Sequence, residues 1–179
     1  MGNKALLVID VQNDFVPGGA LAVPGGDKVV DEINEMMPSF DRVILTQDWH
    51  PPDDPSFQAF GGPWPPHCIQ GTEGAELHAR LSKDKAHHLV RASVNNKTSG
   101  TDLAEYLNNN DVDEVTVAGL ALDYCVRETA LALADKGFKV KVHLPATRAI
   151  AADTAARALE DFKAAGIETV GSLEDALAT

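Results

Sequence analysis

The sequence predicts an α/β fold: a single doubly wound, Rossmann-like domain over residues 1–179, with a mostly parallel six-stranded sheet and helices on both faces. Three observations carry this. Strand-like and helix-like segments alternate nearly throughout the chain. The inner strand candidates ALLVI, VILT and VTVAGL are apolar without alternation, as parallel strands covered on both faces are. The chain has 179 residues, 44% of them hydrophobic, which suffices for one ordinary core.

Strands are expected at Lys4–Asp10, Arg42–Gln47, His87–Arg91, Glu114–Leu120, Lys139–Leu144 and Glu168–Val170. Helices are expected at Asp27–Met37, Ala75–Leu81, Thr101–Asn108, Cys125–Lys136, Ala151–Ala165 and Leu173–Ala178. In the first helix Val29, Val30, Ile33 and Met37 recur at helical spacing. In the fourth, Leu122, Val126, Thr129, Ala130 and Leu133 do the same. Gly137 and Gly166 stand where a helix C-terminus favours a left-handed residue. Ser172 and Asp175 have the spacing of a capping box for the last helix. Two segments exceed a minimal α/β unit. Val11–Gly26 holds four glycines and two prolines, and Trp49–Gly74 holds most of the prolines and both tryptophans. Long loops in compact domains are usually functional, and both begin where strands end.

The net charge of −12 repels a phosphate backbone, so no nucleic-acid partner is expected. No apolar run approaches the ~20 residues of a membrane span, and no signal-like segment opens the chain, so no membrane partner and a cytoplasmic location are expected. In a reducing compartment Cys68 and Cys125 favour thiol chemistry over a bridge, though their spacing alone excludes neither.

Four strands hand over at their C-terminal tips to reactive side chains: Asp10; Asp48 and His50; Arg91; and Cys125. In an open parallel sheet these tips line one crevice where ligands bind. Cys125, at a helix start, reads as a nucleophile with a lowered pKa or as a small core residue. Asp10, partly desolvated, suits a proton acceptor; Asp14 reads as a solvated or turn residue. Arg91 would hold charge near the sulfur or serve as an ordinary ion-pair partner; it cannot shuttle a proton. Asp48 and His50, two apart in extended chain, point to one face, and His67 follows on the same loop. They make a facial metal triad or an unrelated surface set. Asp54 is a possible outer-shell group or fourth ligand. Cys68 reads as structural, as do His78, His87, His88 and His143.

The blocks LLVIDVQNDFVPGGALAVPGG, TQDWHPPDDPSF, WPPHCIQGTEGAELH and VAGLALDYCVRETALAL resemble the nicotinamidases (pyrazinamidases) of the isochorismatase-like cysteine hydrolases, from Ala5 to about Ala149. The resemblance implies hydrolysis of nicotinamide to nicotinate and ammonia, for NAD salvage, through a Cys125 thioester with Asp10 as proton carrier. It implies an oxyanion hole from the N–H groups of Ala121 and Cys125, with a cis peptide between Ala121 and Leu122. It implies one divalent metal on Asp48, His50 and His67, zinc ahead of iron or manganese, holding the pyridine nitrogen. Phe15 and Trp64 would flank the ring, and Leu122 would touch the substrate where a Thr is common. The family's catalytic Lys aligns with Arg91, and its Tyr-Ser-x-Phe element is missing; Lys97 is the nearest lysine. Either Arg91 takes the electrostatic role, or Lys97 swings in, or activity is weak. Two other readings stand beside this one: a cysteine hydrolase for another small amide or ureide, and a binding module that has lost its chemistry. The partner expected is a small molecule, with a homo-oligomer possible.

Overall fold

The computed structural model describes residues 2–178. Six strands form one sheet: β1 (Asn3–Ile9), β2 (Arg42–Asp48), β3 (His88–Ala92), β4 (Val112–Leu120), β5 (Lys139–Arg148) and β6 (Glu168–Val170). Their order is β3-β2-β1-β4-β5-β6, and every pairing is parallel. The α-helices are α1 (Val29–Met36), α2 (Leu103–Asn109), α3 (Arg127–Asp135) and α4 (Ala152–Ala164). The sheet grows one way from β1 through β2 to β3, and the other way from β4 through β5 to β6. The reversal between β1 and β4 opens a crevice at their C-terminal ends.

Strand periodicity explains why β1 is apolar throughout. Its side chains alternate between faces. Ala5, Leu7 and Ile9 enter a core shared with Leu103 and Leu107 of α2, Ala130 and Leu133 of α3, and Ala155 and Phe162 of α4. Leu6 and Val8 enter a second core with Val29, Val30 and Ile33 of α1. The helices therefore cover both faces. Gly119 sits at the β4 register shift with φ +114°, and a Cβ there would strike the backbone of Ile9. Only glycine lets β4 lie this close to β1.

Some expected elements differ. Ala75–Leu81 is not a helix; a single 3-10 turn covers Glu73–Ala75. The segment instead runs along the chain after β1, with Asn13 N–H donating to Glu76 O (3.0 Å) and His78 N–H to Val11 O (2.8 Å). Those backbone groups are thereby taken from any helix. The expected first helix opens as a 3-10 turn, Gly26–Lys28, and the last is only a 3-10 turn, Leu173–Ala176. Its capping box is present, Ser172 N–H donating to Asp175 Oδ2 at 2.8 Å. Gly137 and Gly166 have φ of 95° and 76°. The helix expected from Cys125 starts earlier, as a π-turn over Leu122–Val126, with α3 following. Among the described residues no helix is long and apolar enough to cross a membrane.

Candidate active site

β1 and β2 position the first carboxylate. Asp10 follows β1 in the left-handed region, φ 49°, which aspartate tolerates better than most residues. Its N–H donates to Thr46 Oγ1 (3.1 Å), and Thr46 Oγ1 donates to Asp10 Oδ1 (2.5 Å). The neighbouring strand thus fixes the orientation of the fully buried carboxyl.

The thiol comes from β4. After Leu120 the chain makes the π-turn, and the N–H groups of Tyr124 and Val126 both donate to Ala121 O. This folds Ala121 and Cys125 onto the same pocket wall. The Cys125 thiol donates to Asn95 Oδ1 (3.5 Å), and the Asp10 carboxyl is close enough for its charge to act on the sulfur. Burial pushes its pKa well above the usual value; the Asp10 and Asp48 charges add to this and Lys97 opposes it. The expected lowered thiol pKa is therefore corrected: Cys125 is 6% exposed, and burial together with the Asp10 and Asp48 charges favours the protonated thiol. Burial also raises the Asp10 pKa, against the pull of Lys97.

The cation is Lys97, not Arg91. Lys97 is fully buried. Its Nζ lies 3.0 Å from Asp10 Oδ2 and donates to Asp48 Oδ1 (2.9 Å) and Ala92 O (3.2 Å). Burial alone would lower its pKa, but the Asp10 and Asp48 carboxylates outweigh it and raise it. Thr129 of α3 carries the loop: it accepts the Lys97 N–H (3.0 Å) and donates to Asn95 O (3.2 Å). Arg91 is exposed. Its Nε donates to Gln47 Oε1 (3.0 Å), and its guanidinium lies 4.0 Å over the Trp49 ring. That cation–π contact occupies the arginine away from the sulfur.

Asp48, His50 and His67 each present one ligand atom, all within 4.8 Å of one another. His50 Nε2 and His67 Nε2 lie 2.7 and 3.2 Å from Asp48 Oδ2. The other ring nitrogens are engaged: Nδ1 of His50 faces Asp54 Oδ2 (2.8 Å), and Nδ1 of His67 faces Pro65 O (2.8 Å). Both partners accept only, so each Nδ1 carries hydrogen and each Nε2 is directed at the shared point. Two imidazoles and a carboxylate suit a divalent ion. Burial alone would raise the Asp48 pKa; hydrogen bonds from both histidines and the Lys97 charge hold it well below the usual range. Burial would lower the His50 pKa, but Asp48 and Asp54 raise it.

Asp48, His50, His67, Ala121 and Cys125 border one cleft of about 550 Å³, while Asp10 and Lys97 are fully buried and do not line it. Phe15 and Trp64 line it as expected, with Leu21, Val23 and Ile150 as further apolar wall and Ser93 and Asn95 as a polar side. Phe15 lies 5.7 Å from His67 ring to ring, and Trp64 meets Tyr124 edge-on at 5.8 Å. Leu122 is not among the lining residues; it is fully buried in the core beside α3. The cis peptide joins Leu120 to Ala121, one residue before the expected bond. Asp14 is also not free: it accepts the N–H groups of Cys68 (2.8 Å) and Ala20 (3.2 Å), tying the two long loops together. Cys68 is buried and unbridged, and burial raises its pKa. The pocket side chains that the sequence did not announce are Leu21, Val23, Ser56, Ser93, Asn95, Tyr124 and Ile150; Thr46, behind Asp10, was not announced either.

Comparison with known proteins agrees with this geometry. An isochorismatase domain matches residues 4–174. The nicotinamidase/pyrazinamidase of Mycobacterium tuberculosis is 35% identical, over 94% of this chain and 99% of that one. The pyrazinamidase of Pyrococcus horikoshii, solved in complex with zinc, is 40% identical with a TM-score of 0.88, covering 95% of this chain and 99% of its own. A protein of L. infantum solved in complex with nicotinate is 34% identical with a TM-score of 0.90, covering 98% and 95%. Since the match spans nearly the whole sheet and both long loops, the chain belongs to the isochorismatase family of hydrolases, and the relatives it is similar to there are nicotinamidases.

Proposed function

We propose that this protein is a metal-dependent amidase that hydrolyses nicotinamide to nicotinate and ammonia, a reaction of NAD salvage. The observation that carries the reading is the meeting of the Cys125 thiol, the Asp10 carboxyl and the Lys97 ammonium beside the Asp48–His50–His67 cluster. Similarity to nicotinamidases across almost the full chain supports it.

In this reading the Cys125 sulfur attacks the amide carbon while its proton passes to Asp10. The developing oxyanion is held by the N–H groups of Ala121 and Cys125. Asp10 then gives the proton to the departing nitrogen, ammonia leaves, and a thioester remains. Water attacks the thioester carbon, losing a proton to Asp10; collapse releases nicotinate and returns the sulfur to its protonated form. Lys97 holds Asp10 in place and offsets negative charge on the sulfur. Phe15 and Trp64 form walls for a flat ring. Asp48, His50 and His67 would hold the ion, zinc by analogy with the P. horikoshii protein, whose chemistry here is to anchor the ring nitrogen.

The test is ammonia release from nicotinamide by the zinc-loaded protein and by Cys125→Ala. Release by the wild type and none by the variant is expected; inactivity with zinc, iron and manganese alike overturns the reading. A second substrate reading, another small amide or ureide, is favoured by Ser93 and Asn95, which give one side of the cleft a polar lining. A panel of ring and aliphatic amides separates the two by their kcat/KM values.

A further inference from the structure

We infer that Asp54 is a positioning residue for the metal: it fixes the ring of His50, makes it the stronger imidazole donor and completes the charge balance of a divalent site. This rests on the reading of Asp48, His50 and His67 as metal ligands. Asp54 itself is not one of the converging ligand atoms; its Oδ2 lies on the far side of the His50 ring, 2.8 Å from Nδ1.

The carboxylate is held from behind. Its Oδ1 accepts two hydrogen bonds from Ser56, from the N–H (2.8 Å) and from Oγ (2.6 Å). Its own turn is closed by Asp54 N–H to Pro51 O (3.2 Å) and Phe57 N–H to Asp54 O (3.0 Å). Asp54 is 7% exposed, and the bonds from Ser56 and His50 hold its carboxylate in place. The two histidines are not equivalent: His67 Nδ1 leans on a neutral carbonyl and His50 Nδ1 on a full negative charge. A carboxylate partner raises ligand basicity more than a carbonyl does, because it stabilises positive charge on the ring.

Charge gives an independent argument. Around the converging nitrogens lie three buried carboxylates, Asp10, Asp48 and Asp54, and one buried ammonium, Lys97. With both imidazoles neutral, as ligands must be, this leaves two negative charges away from water. One divalent cation cancels them. Removing the Asp54 charge leaves a cation in excess and weakens its retention.

The variants are Asp54→Asn and Asp54→Ala, measured beside wild type. Asparagine can offer its oxygen to His50 or to Ser56 but not to both, so it should fall between the other two. Zinc affinity, by competition with a chelator, is expected to drop roughly 10–100-fold in Asp54→Ala and less in Asp54→Asn. The rise in Tm on adding zinc should shrink in the same order, with circular dichroism of the metal-free proteins unchanged. A merely structural role would lower the metal-free Tm and leave the zinc-dependent increment alone. Equal zinc affinity in all three proteins overturns the inference and leaves the metal reading intact. Failure of wild type to bind stoichiometric zinc overturns the metal reading itself.

Discussion

The site works through residues that keep one another ionised or protonated inside a low-dielectric pocket. In the proposed reaction Cys125 needs a base because burial holds its proton on, and Asp10 is the carboxyl assigned to take it. The carboxyl can accept it only when ionised. Since the Asp10 pKa is raised above the usual 3.8, the acid limb of kcat/KM should lie above 3.8. Protonation of metal-ligand histidines also lowers activity in acid, but that limb moves with metal concentration. In excess zinc, the limb that no longer moves reports Asp10, and Asp10→Asn should remove activity altogether. An acid limb at or below 3.8 under those conditions would show that another group takes the proton. Lys97 and Arg91 give a second, paired prediction. Lys97→Met should lower kcat roughly 10²–10⁴-fold, the range expected for losing a charged group aimed at the reacting atoms. Arg91→Ala should leave kcat/KM unchanged and cost about 0.5–1 kcal/mol of stability through the lost stacking on Trp49. Steady-state kinetics and thermal melts of the two variants decide between the lysine and the arginine.

At the scale of elements, what the sequence reveals depends on whether the signal is local. The strands are legible because apolar runs and their glycine borders are local, and β1, β2 and β4 end within a residue of where they are expected. Asp48 and His50 are legible because extended chain puts alternate residues on one face. Lys97 is not, because an irregular loop brings it back through bonds to Thr129 of α3, thirty-two residues away. Strand alignment pointed to Arg91 instead. Ala75–Leu81 misleads for the same reason: its backbone partners, Val11 and Asn13, are remote in sequence. Leu122 is expected at the substrate because it follows the cis peptide, but the π-turn places it in the core. Gly119 is where an element-level prediction bites. Gly119→Ala puts a Cβ against the Ile9 backbone at a φ that L residues rarely adopt. It should cost about 2–4 kcal/mol, enough to lower Tm by roughly 4–16 °C in a chain of this size. A melt within about 2 °C of wild type would mean that β4 can move away from β1 without loss.

For the whole molecule, the fold and the chemistry are joined at the place where strand order reverses. β1 supplies Asp10, β4 supplies the Cys125 turn, β2 supplies Asp48, and the long loop after β2 returns with His67. Asp48 joins the two halves of the site, giving Oδ1 to Lys97 and Oδ2 to the histidines. The last prediction follows from this sharing. A divalent ion at the triad binds the folded chain and has no preformed site in the unfolded one, so its binding free energy adds to stability. At free zinc of about 100 times Kd the gain is about 2.7 kcal/mol. For a domain of this size that is a rise in Tm of roughly 5–11 °C. Stripping the metal with a chelator should remove that increment along with nicotinamide hydrolysis, and titrating zinc back should restore both over one concentration range. Cys125 should still be alkylated in the stripped protein, because its thiol and Asp10 come from β4 and β1 and not from the metal loop. Stability and activity recovering at different zinc concentrations would mean that the ion supporting the fold and the ion supporting the reaction occupy different places.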